Sequence, residues 1–169
     1  MKQLILCKIV RLPVKRWKEY KELELHALRT ELKAFRYSYG QILKKPADFW
    51  KKDLKTRDIF FAEINNKLVG MATLTYEESP KAKHIVTINR VYVHEDYREH
   101  GIAELLLHKI IEHVKKKEYV KELRLKVNIT QKPAISLYKK LGFKRIVTLK
   151  KELKVKHRYY DEYMMEKFF

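Results

Sequence analysis

The short segment Arg98–Ala103, REHGIA, combines residue types that suit the binding of a phosphate group. It follows an apolar stretch, IVTINRVYV, and leads into ELLLHKIIEHV, so a strand is expected to end and a helix to begin there. The first N–H groups of a helix have no partners within it and carry partial positive charge. Gly101 would let a phosphate approach the backbone closely, and Arg98 would add a charged donor. The alternative is an ordinary turn in which the glycine only ends the strand.

The segment matches neither of the common glycine-rich phosphate-binding patterns. No Gly-Lys-Ser/Thr follows Gly101, as a Walker loop requires, and a dinucleotide fingerprint needs more than one glycine. The seven histidines and the single cysteine show no spacing typical of metal ligands, so no metal site is predicted. The chemistry indicated is the binding of a diphosphate.

The segments around this loop predict a mixed α/β fold. Strands joined by helices imply parallel pairs, whereas hairpins imply antiparallel ones. We therefore predict a single domain over residues 1–169, with a mixed central β-sheet flanked by helices in the order β-α-α-β-β-β-α-β-α-β-β. The expected boundaries are a strand at 2–10, helices at 14–35 and 46–54, strands at 58–64, 67–77 and 84–93, a helix at 101–117, a strand at 120–127, a helix at 133–141, and strands at 143–151 and 158–169.

Turn residues support several of these boundaries. Asn65 and Asn66 are expected to turn a hairpin. The strand at 84–93 is apolar on both faces and is expected at the centre of the sheet. Pro133 suits the first turn of a helix, and Gly142 suits a left-handed cap at its end.

The composition restricts the class of protein. Cys7 is the one cysteine, so no internal disulfide is predicted, and a buried packing role is expected for it. No signal peptide or membrane span is predicted, because the first apolar run breaks at Lys8 and no run reaches about 18 residues. These features fit a cytoplasmic protein.

The charge favours anionic partners without choosing among them. The chain has 39 Lys and Arg residues against 21 Asp and Glu, a formal net charge of +18. Such a charge attracts nucleic acid, acidic proteins and phosphorylated cofactors at long range. A solvated, lysine-rich surface would give the same count, because the lysines are spread along the whole chain.

Two motifs in this order resemble those of the GNAT superfamily of acyl-CoA-dependent N-acetyltransferases. Arg98, Gly101 and Ala103 fit the family pattern Arg/Gln-x-x-Gly-x-Gly/Ala. About thirty residues later, PAISLYKKLGFKRI is similar to the second family motif, and YYDEYMMEKFF is similar to its usual last strand. The resemblance covers nearly the whole chain and implies acetyl-CoA, released as coenzyme A, as the cosubstrate.

The resemblance also implies roles for individual residues. Backbone groups of Val91, Tyr92 and Val93 would bind the pantetheine arm where this strand separates from its neighbour, and Asn128 would face the same arm. Tyr138 would lie near the CoA sulfur as the catalytic acid, and Lys140 would reach the cofactor phosphates or remain a solvated helix lysine. The pyrophosphate would be held by the loop residues Arg98, Glu99, His100, Gly101, Ile102, Ala103 and Glu104. Gln131 stands where the family often has Asn, so one cofactor contact is in doubt.

The implied reaction is a direct attack of an amine on the acetyl thioester, for which a base or a water chain must deprotonate the amine. In histone-type relatives a glutamate stands where this chain has Thr87. The candidates are therefore His84, at the start of the strand that contains Thr87, and Glu77 or Glu78 on the preceding one, and the alternative is that each is a solvated residue at a strand end.

The acceptor cannot be named from the sequence. Tyr37 and Tyr39 lie where the family's acceptor loop falls, or they simply cover the core. Small amines, protein N-termini, lysines, aminoglycosides and polyamines stay open, although the net charge disfavours a polycation unless a local acidic patch forms from Glu77, Glu78, Asp161 and Glu162. The alternative function is a non-catalytic basic module of the same fold that binds ribosome or nucleic acid, and a homodimer is left open.

Overall fold

A computed structural model describes residues 6–169 of the chain. Its strands are β1 (Lys8–Val10), β2 (Asp58–Ile64), β3 (Lys67–Tyr76), β4 (Ile85–Val93), β5 (Glu122–Asn128), β6 (Lys144–Val155) and β7 (Arg158–Phe168). Its helices are α1 (Trp17–Thr30), α2 (Tyr39–Leu43), α3 (Ala47–Thr56), α4 (Ile102–Lys115) and α5 (Lys132–Lys140). Short 3-10 turns at Val14–Arg16 and Glu95–Tyr97 precede α1 and α4.

The strands form one mixed sheet in the order β1-β2-β3-β4-β5-β7-β6. β4 and β5 run parallel, and the other neighbouring pairs run antiparallel. β4 is the fourth of the seven strands, so the prediction that it lies at the centre is confirmed.

Helices cover both faces of this sheet. Successive side chains of a strand point to opposite faces, so neighbouring residues of one strand pack against different helices. On β2, Phe60 belongs to a buried cluster that includes Leu106 of α4. Its neighbours Ile59 and Phe61 belong to a second cluster that includes Trp50 of α3 and several residues of α1. The predicted architecture, a mixed sheet flanked by helices, is therefore present.

The predicted order of elements omitted one helix, between α1 and α3. α1 ends at Thr30, well before the predicted end, and Leu32 beyond it is 50% exposed. α2 then begins after Ser38, whose hydroxyl accepts a hydrogen bond from the Gln41 N–H while the Gln41 side chain accepts one from the Ser38 N–H. Apolar spacing alone extended the first helix too far, because it took no account of this capping box.

The predicted turns are confirmed by backbone angles. Asn65 and Asn66 both have positive φ, 49° and 61°, in the hairpin between β2 and β3. Gly142, with φ of 87°, follows the end of α5. Cys7 is only half-buried, against the cluster on the α4 side, so its expected burial is partial.

The predicted first strand extends beyond the part of the chain that can be compared. Residues 1–5 lie outside the described residues, and β1 itself covers three residues. Within residues 6–169, no helix is long and apolar enough to cross a bilayer.

Gly70 on β3 allows the sheet to pack closely against α4. A Cβ at this position would lie 2.9 Å from the Tyr92 carbonyl oxygen and 3.2 Å from Cδ1 of Leu106. We expect Gly70→Ala to lower the free energy of unfolding by about 1–3 kcal/mol, because a backbone carbonyl cannot retreat without shifting β4. Denaturant titration followed by circular dichroism measures this change.

Gly40→Ala is the matched control. A Cβ on Gly40 meets nothing within 4 Å, and alanine favours a helix over glycine by up to about 1 kcal/mol. This variant should therefore match or exceed the wild type in stability. A Gly70→Ala protein as stable as the wild type would contradict the close packing.

Candidate active site

The two central strands stop pairing part-way along their length. β4 pairs with β5 only where Ile85–Thr87 faces Glu122–Arg124. Beyond Thr87, no strand within residues 6–169 pairs with the edge of β4 that faces β5, while β5 continues against β7 as far as Asn128. Backbone N–H and C=O groups without a protein partner bind water or a ligand. The separation expected at Val91–Val93 is therefore present, and it leaves backbone that suits an extended polar ligand.

A β-bulge at Arg90 accompanies this separation. Between the pairs Asn89↔Thr73 and Tyr92↔Met71, β4 has one residue more than β3. Arg90 itself adopts a left-handed conformation, with φ of 54°. Bulges bend a strand and increase its twist, so this one accounts for the change in the course of β4.

The Arg90 side chain joins the bulge to two helices. Its guanidinium lies 2.6 Å from the Tyr20 hydroxyl, 3.1 Å from Oδ2 of Asp53 and 3.3 Å from Oε2 of Glu24. Tyr20 and Glu24 belong to α1 and Asp53 to α3, so one buried cation fixes β4 against both helices. Arg57 pairs with the other oxygen of Asp53 at 2.9 Å.

The predicted phosphate loop follows β4. Gly101 has φ of 74° and precedes the first residue of α4, and Glu99 is also left-handed, with φ of 64°. A Cβ added to Gly101 would meet nothing within 4 Å, so the space beside it is open to a phosphate oxygen. The N–H groups of Ile102, Ala103 and Glu104, at the start of the helix, have no helical partners. These residues fit the diphosphate of acetyl-CoA.

Arg98 and Lys140 are both bound to carboxylates of the protein. Arg98 donates from Nε to the Val93 carbonyl at 2.9 Å and from Nη2 to Glu31 at 2.6 Å. Arg98 was expected to bind phosphate, but in this structure it connects the loop to β4 and to the end of α1. It also occupies the Val93 carbonyl, which is one of the three backbone carbonyls expected to bind the cofactor arm. Lys140 lies 2.8 Å from Glu104, which places it beside the first turn of α4.

A pocket of about 370 Å³ lies where the strands separate. It is lined by Val91 of the unpaired stretch and by Tyr138 of α5. Gln131, which replaces the family's usual Asn, also lines it. Its charged lining residues are Glu24, Arg36, Arg57, Arg90, Lys126 and Glu162.

Tyr138 suits the role of a proton donor in this pocket. It is 6% exposed, and its hydroxyl makes no hydrogen bond with any residue in the described range 6–169. Burial raises the pKa of Tyr138 above its usual value, so the phenol stays protonated at neutral pH.

Asn128 lies at the end of β5 and is buried. Its Oδ1 accepts hydrogen bonds from the Thr130 N–H at 3.0 Å and from the Thr130 hydroxyl at 2.8 Å. Its Nδ2 has no hydrogen-bond partner among the described residues 6–169. A buried amide donor without a partner is uncommon and is consistent with a contact to a ligand.

The candidates predicted as the base do not line the pocket: these are Glu77, Glu78 and His84. Thr87, which stands where histone-type relatives have a glutamate, does not line it either. The carboxylates that do line it, Glu24 and Glu162, come from α1 and β7. Sequence reasoning missed Glu24 and considered Glu162 only as part of an acidic patch, because only the fold brings them to this place. Asp161, another residue of that possible patch, binds Lys150 at 2.8 Å.

The two tyrosines expected near the acceptor lie at different places in the structure. Tyr37 lines the pocket. Tyr39 begins α2, where the Arg29 guanidinium lies 5.4 Å from its ring centre, and it packs against the core on the α1 side.

Three potential metal ligands meet at a different place. His26 of α1, His94 and Glu95 bring their ligand atoms within 4.8 Å of one another, although His26 is far from the other two in sequence. These atoms already have partners: His26 Nε2 lies 3.0 Å from Glu95, and the Asp96 N–H lies 3.3 Å from His94 Nδ1. Hydrogen bonds from its own backbone and from His26 lower the pKa of Glu95 to about 2. These hydrogen bonds connect α1 to the turn after β4. The absence of a bound metal stays a prediction.

Comparison with known proteins agrees with this geometry. The pattern of the acetyltransferase (GNAT) family matches residues 23–143. An N-alpha-acetyltransferase of Sulfurisphaera tokodaii is 34% identical over 136 residues, which cover 71% of this chain and 75% of that protein. An uncharacterized N-acetyltransferase of Methanocaldococcus jannaschii, MJ1207, is 32% identical over 68% of this chain, but the match spans only 53% of that protein.

Solved structures share the fold at low sequence identity. A GNAT-family acetyltransferase from Streptococcus pneumoniae superposes with a TM-score of 0.87 at 20% identity, over 97% of this chain and 100% of that one. YncA, a putative acetyltransferase from Salmonella typhimurium solved with acetyl-CoA, superposes with a TM-score of 0.79 at 15% identity, over 96% of this chain and 94% of that one. The chain belongs to the GNAT family of acetyltransferases, which use acetyl-CoA as cosubstrate.

Proposed function

We propose that this chain transfers the acetyl group of acetyl-CoA to the α-amino group of an amino acid or peptide, by direct attack of the amine on the thioester. The observation that supports this most is the unpaired edge of β4 beyond Thr87. The stretch ends just before the Gly101 loop, and Val91 within it lines the pocket that contains Tyr138. The proposed phosphate-binding loop follows β4, and the proposed site of acyl transfer lies beside β4 itself, so the two sites are next to each other.

The cofactor-binding residues are proposed from their unpaired groups. N–H groups of the first turn of α4, together with those of His100 and Gly101, hold the pyrophosphate. Backbone groups of Val91 and Tyr92 bind the pantetheine arm, and Nδ2 of Asn128 donates to it. Acetyl-CoA supplies an acyl group already activated as a thioester, and these contacts place that thioester beside the pocket.

The transfer itself forms one bond and breaks another. The nitrogen lone pair of the amine attacks the acetyl carbon, the C–N bond forms and the C–S bond breaks. The amine loses a proton to a base, and the leaving sulfur receives a hydrogen bond or a proton from the Tyr138 hydroxyl. A thiol with a pKa near 8.5 is a fair leaving group, and a neutral phenol can donate to it.

The chemistry of the pocket favours an α-amine as the acceptor. Of the two carboxylates that line the pocket, Glu24 is already paired with Arg90, so the Glu162 carboxylate is the one left to attract an ammonium group. Tyr37 provides an aromatic wall. An α-amine, with a pKa near 8, is roughly one-tenth neutral at pH 7, whereas a lysine side chain with a pKa near 10.4 is almost fully charged. The relative from Sulfurisphaera tokodaii carries the name N-alpha-acetyltransferase, in line with this choice.

Other expectations stay predictions. These are a cytoplasmic location, a homodimer, and the alternative role as a basic module that binds ribosome or nucleic acid. The formal charge of +18 supports attraction to CoA phosphates and to nucleic acid alike.

Thermal unfolding with acetyl-CoA tests the proposal directly. A ligand at 100 times its Kd adds about 2.7 kcal/mol of stability, which should raise the Tm by roughly 5–10 °C in a chain of this size. An acetylation assay with free amino acids and peptides then tests the acceptor. No response to acetyl-CoA together with a response to RNA would favour the alternative role.

Gly101→Val should weaken acetyl-CoA binding by at least about tenfold, or about 1.4 kcal/mol. The new side chain would occupy the space beside the first turn of α4 that the pyrophosphate needs. Isothermal titration calorimetry measures the affinity. Gly142→Val is the matched control, because Gly142 is also left-handed, with φ of 87°, but lies after α5. Both variants should lose about 1–2 kcal/mol of stability from backbone strain, and unchanged affinity in folded Gly101→Val would contradict the loop assignment.

Tyr138→Phe should reduce kcat by about 10²-fold or more while acetyl-CoA affinity stays within a few-fold. The substitution keeps the ring in the core and removes only the hydroxyl, which has no hydrogen-bond partner to lose. Steady-state kinetics with the best acceptor measures the effect. A kcat within threefold of the wild type would leave Tyr138 as a packing residue beside the cofactor.

A further inference from the structure

Among the described residues 6–169, four carboxylates are buried, and one of them is left without a partner. Three form ion pairs with arginine: Glu24, Asp53 and Glu122. Glu162 on β7 is 6% exposed, and it makes neither a hydrogen bond nor an ion pair with any described residue. A buried carboxylate is normally paired, because burial without a partner is costly.

The lack of a partner is not caused by a shortage of cations. Arg36 and Lys126 line the same pocket as Glu162, but both bind Glu152 instead, at 2.6 Å and 2.7 Å. The chain has nearly twice as many basic as acidic residues, 39 against 21. The nearby cations are thus engaged elsewhere, and the Glu162 carboxylate is open to the pocket.

The position of Glu162 is at the end of the opening between β4 and β5. Glu162 faces Asn128, the last residue of β5, across the β5–β7 pair. Among residues 6–169, Asn128 Nδ2 is also without a partner, and Tyr138 lines the same pocket as Glu162. An unpaired acceptor and a protonated phenol thus line one pocket, and an unpaired donor stands opposite Glu162 on the neighbouring strand, at the end of the opening where the thioester would lie.

We infer that Glu162 is the general base of the reaction: its carboxylate holds the incoming ammonium group and takes a proton from it, directly or through one water molecule. The assignment rests on the proposed acetyl transfer. The ammonium gives one proton to Glu162, and the neutral amine forms the C–N bond with the acetyl carbon. The second proton of the amine nitrogen leaves to solvent as the C–S bond breaks and the sulfur takes its proton from Tyr138.

On balance, the surroundings of Glu162 make its carboxylate a stronger base than a solvated glutamate. Burial raises the pKa of Glu162 above its usual value; the charges of Lys126 and Arg36 oppose this rise, and the charge of Glu152 adds to it. A raised pKa narrows the gap to an α-amine, so the proton transfer is less unfavourable. Since the base acts when ionised, activity should fall as the pH drops through this raised pKa.

Glu162→Gln is the primary test, because it keeps the shape of the side chain and removes its basicity. We expect kcat to fall by about 10²-fold or more, and the acid side of the pH–kcat profile to lose the step due to Glu162. Acetyl-CoA affinity, measured by calorimetry, should stay within threefold of the wild type, which also shows that the variant is folded.

Two further carboxylates of the same hairpin provide controls. Glu166→Gln changes a carboxylate of β7 outside the pocket and should leave kcat and the pH profile unchanged. Glu152→Gln removes a nearby negative charge and frees Arg36 and Lys126. It should therefore shift the acid step to lower pH without removing it, an effect that a merely structural Glu162 would not produce.

The outcomes separate this inference from the proposed function. If the wild type acetylates no amine in the panel, the proposed function fails. If the wild type is active and Glu162→Gln keeps its kcat and its acid step, Glu162 is not the base. A raised amine KM with unchanged kcat also overturns the assignment, since Glu162 would then only bind the ammonium. Should Glu162→Gln not fold, Glu162→Asp retains the carboxylate and must keep the acid step with a reduced kcat.

Discussion

The arrangement of the whole site depends on the buried guanidinium of Arg90. It holds a left-handed residue in the middle of the central strand and binds acidic partners on α1 and α3 at the same time. Losing one side of such a buried pair costs about 3–5 kcal/mol, because the opposite charge is left without compensation. The network joins the bulge to α1 and α3, and the bulge lies shortly beyond Thr87, where the pairing of β4 with β5 stops.

An opening in the centre of a sheet is a costly feature that the surrounding structure makes tolerable. The backbone of β4 beyond Thr87 gives up ladder hydrogen bonds that a continuous parallel pair would have made. Arg98 recovers part of this loss by donating to the Val93 carbonyl, and its bond to Glu31 keeps the following loop against α1. The remaining free groups lie between that loop and the pocket. A ligand with amide groups along an extended chain can supply the missing partners.

Features set by neighbours in the sequence could be predicted, and features set by distant contacts could not. The Gly101 loop, the Asn65–Asn66 hairpin and the cap at Gly142 depend on local backbone geometry, so residue type and spacing were enough. The family motifs then placed the strands around them. α2 was missed although its capping box is local, because the apolar spacing before it was read as one long helix. The ion pair of Arg98 with Glu31 and the position of Glu162 join residues far apart in the chain, and no local pattern encodes them.

The surface and the interior of this protein carry charges of opposite sign, which the composition alone does not show. The net charge of +18 describes the chain as a whole. Among residues 6–169, four charged residues are less than one-tenth exposed, and all four are acidic. Long-range attraction therefore favours the phosphates of the cofactor. The pocket is lined by two carboxylates, Glu24 and Glu162, and by four cations, Arg36, Arg57, Arg90 and Lys126. All of these except Glu162 already form ion pairs within residues 6–169. A single ammonium group could therefore pair with Glu162 without displacing an existing ion pair, and the lower dielectric of a buried site would strengthen that interaction. Each further positive charge on an acceptor would instead meet the cations of the pocket wall or the basic surface outside it.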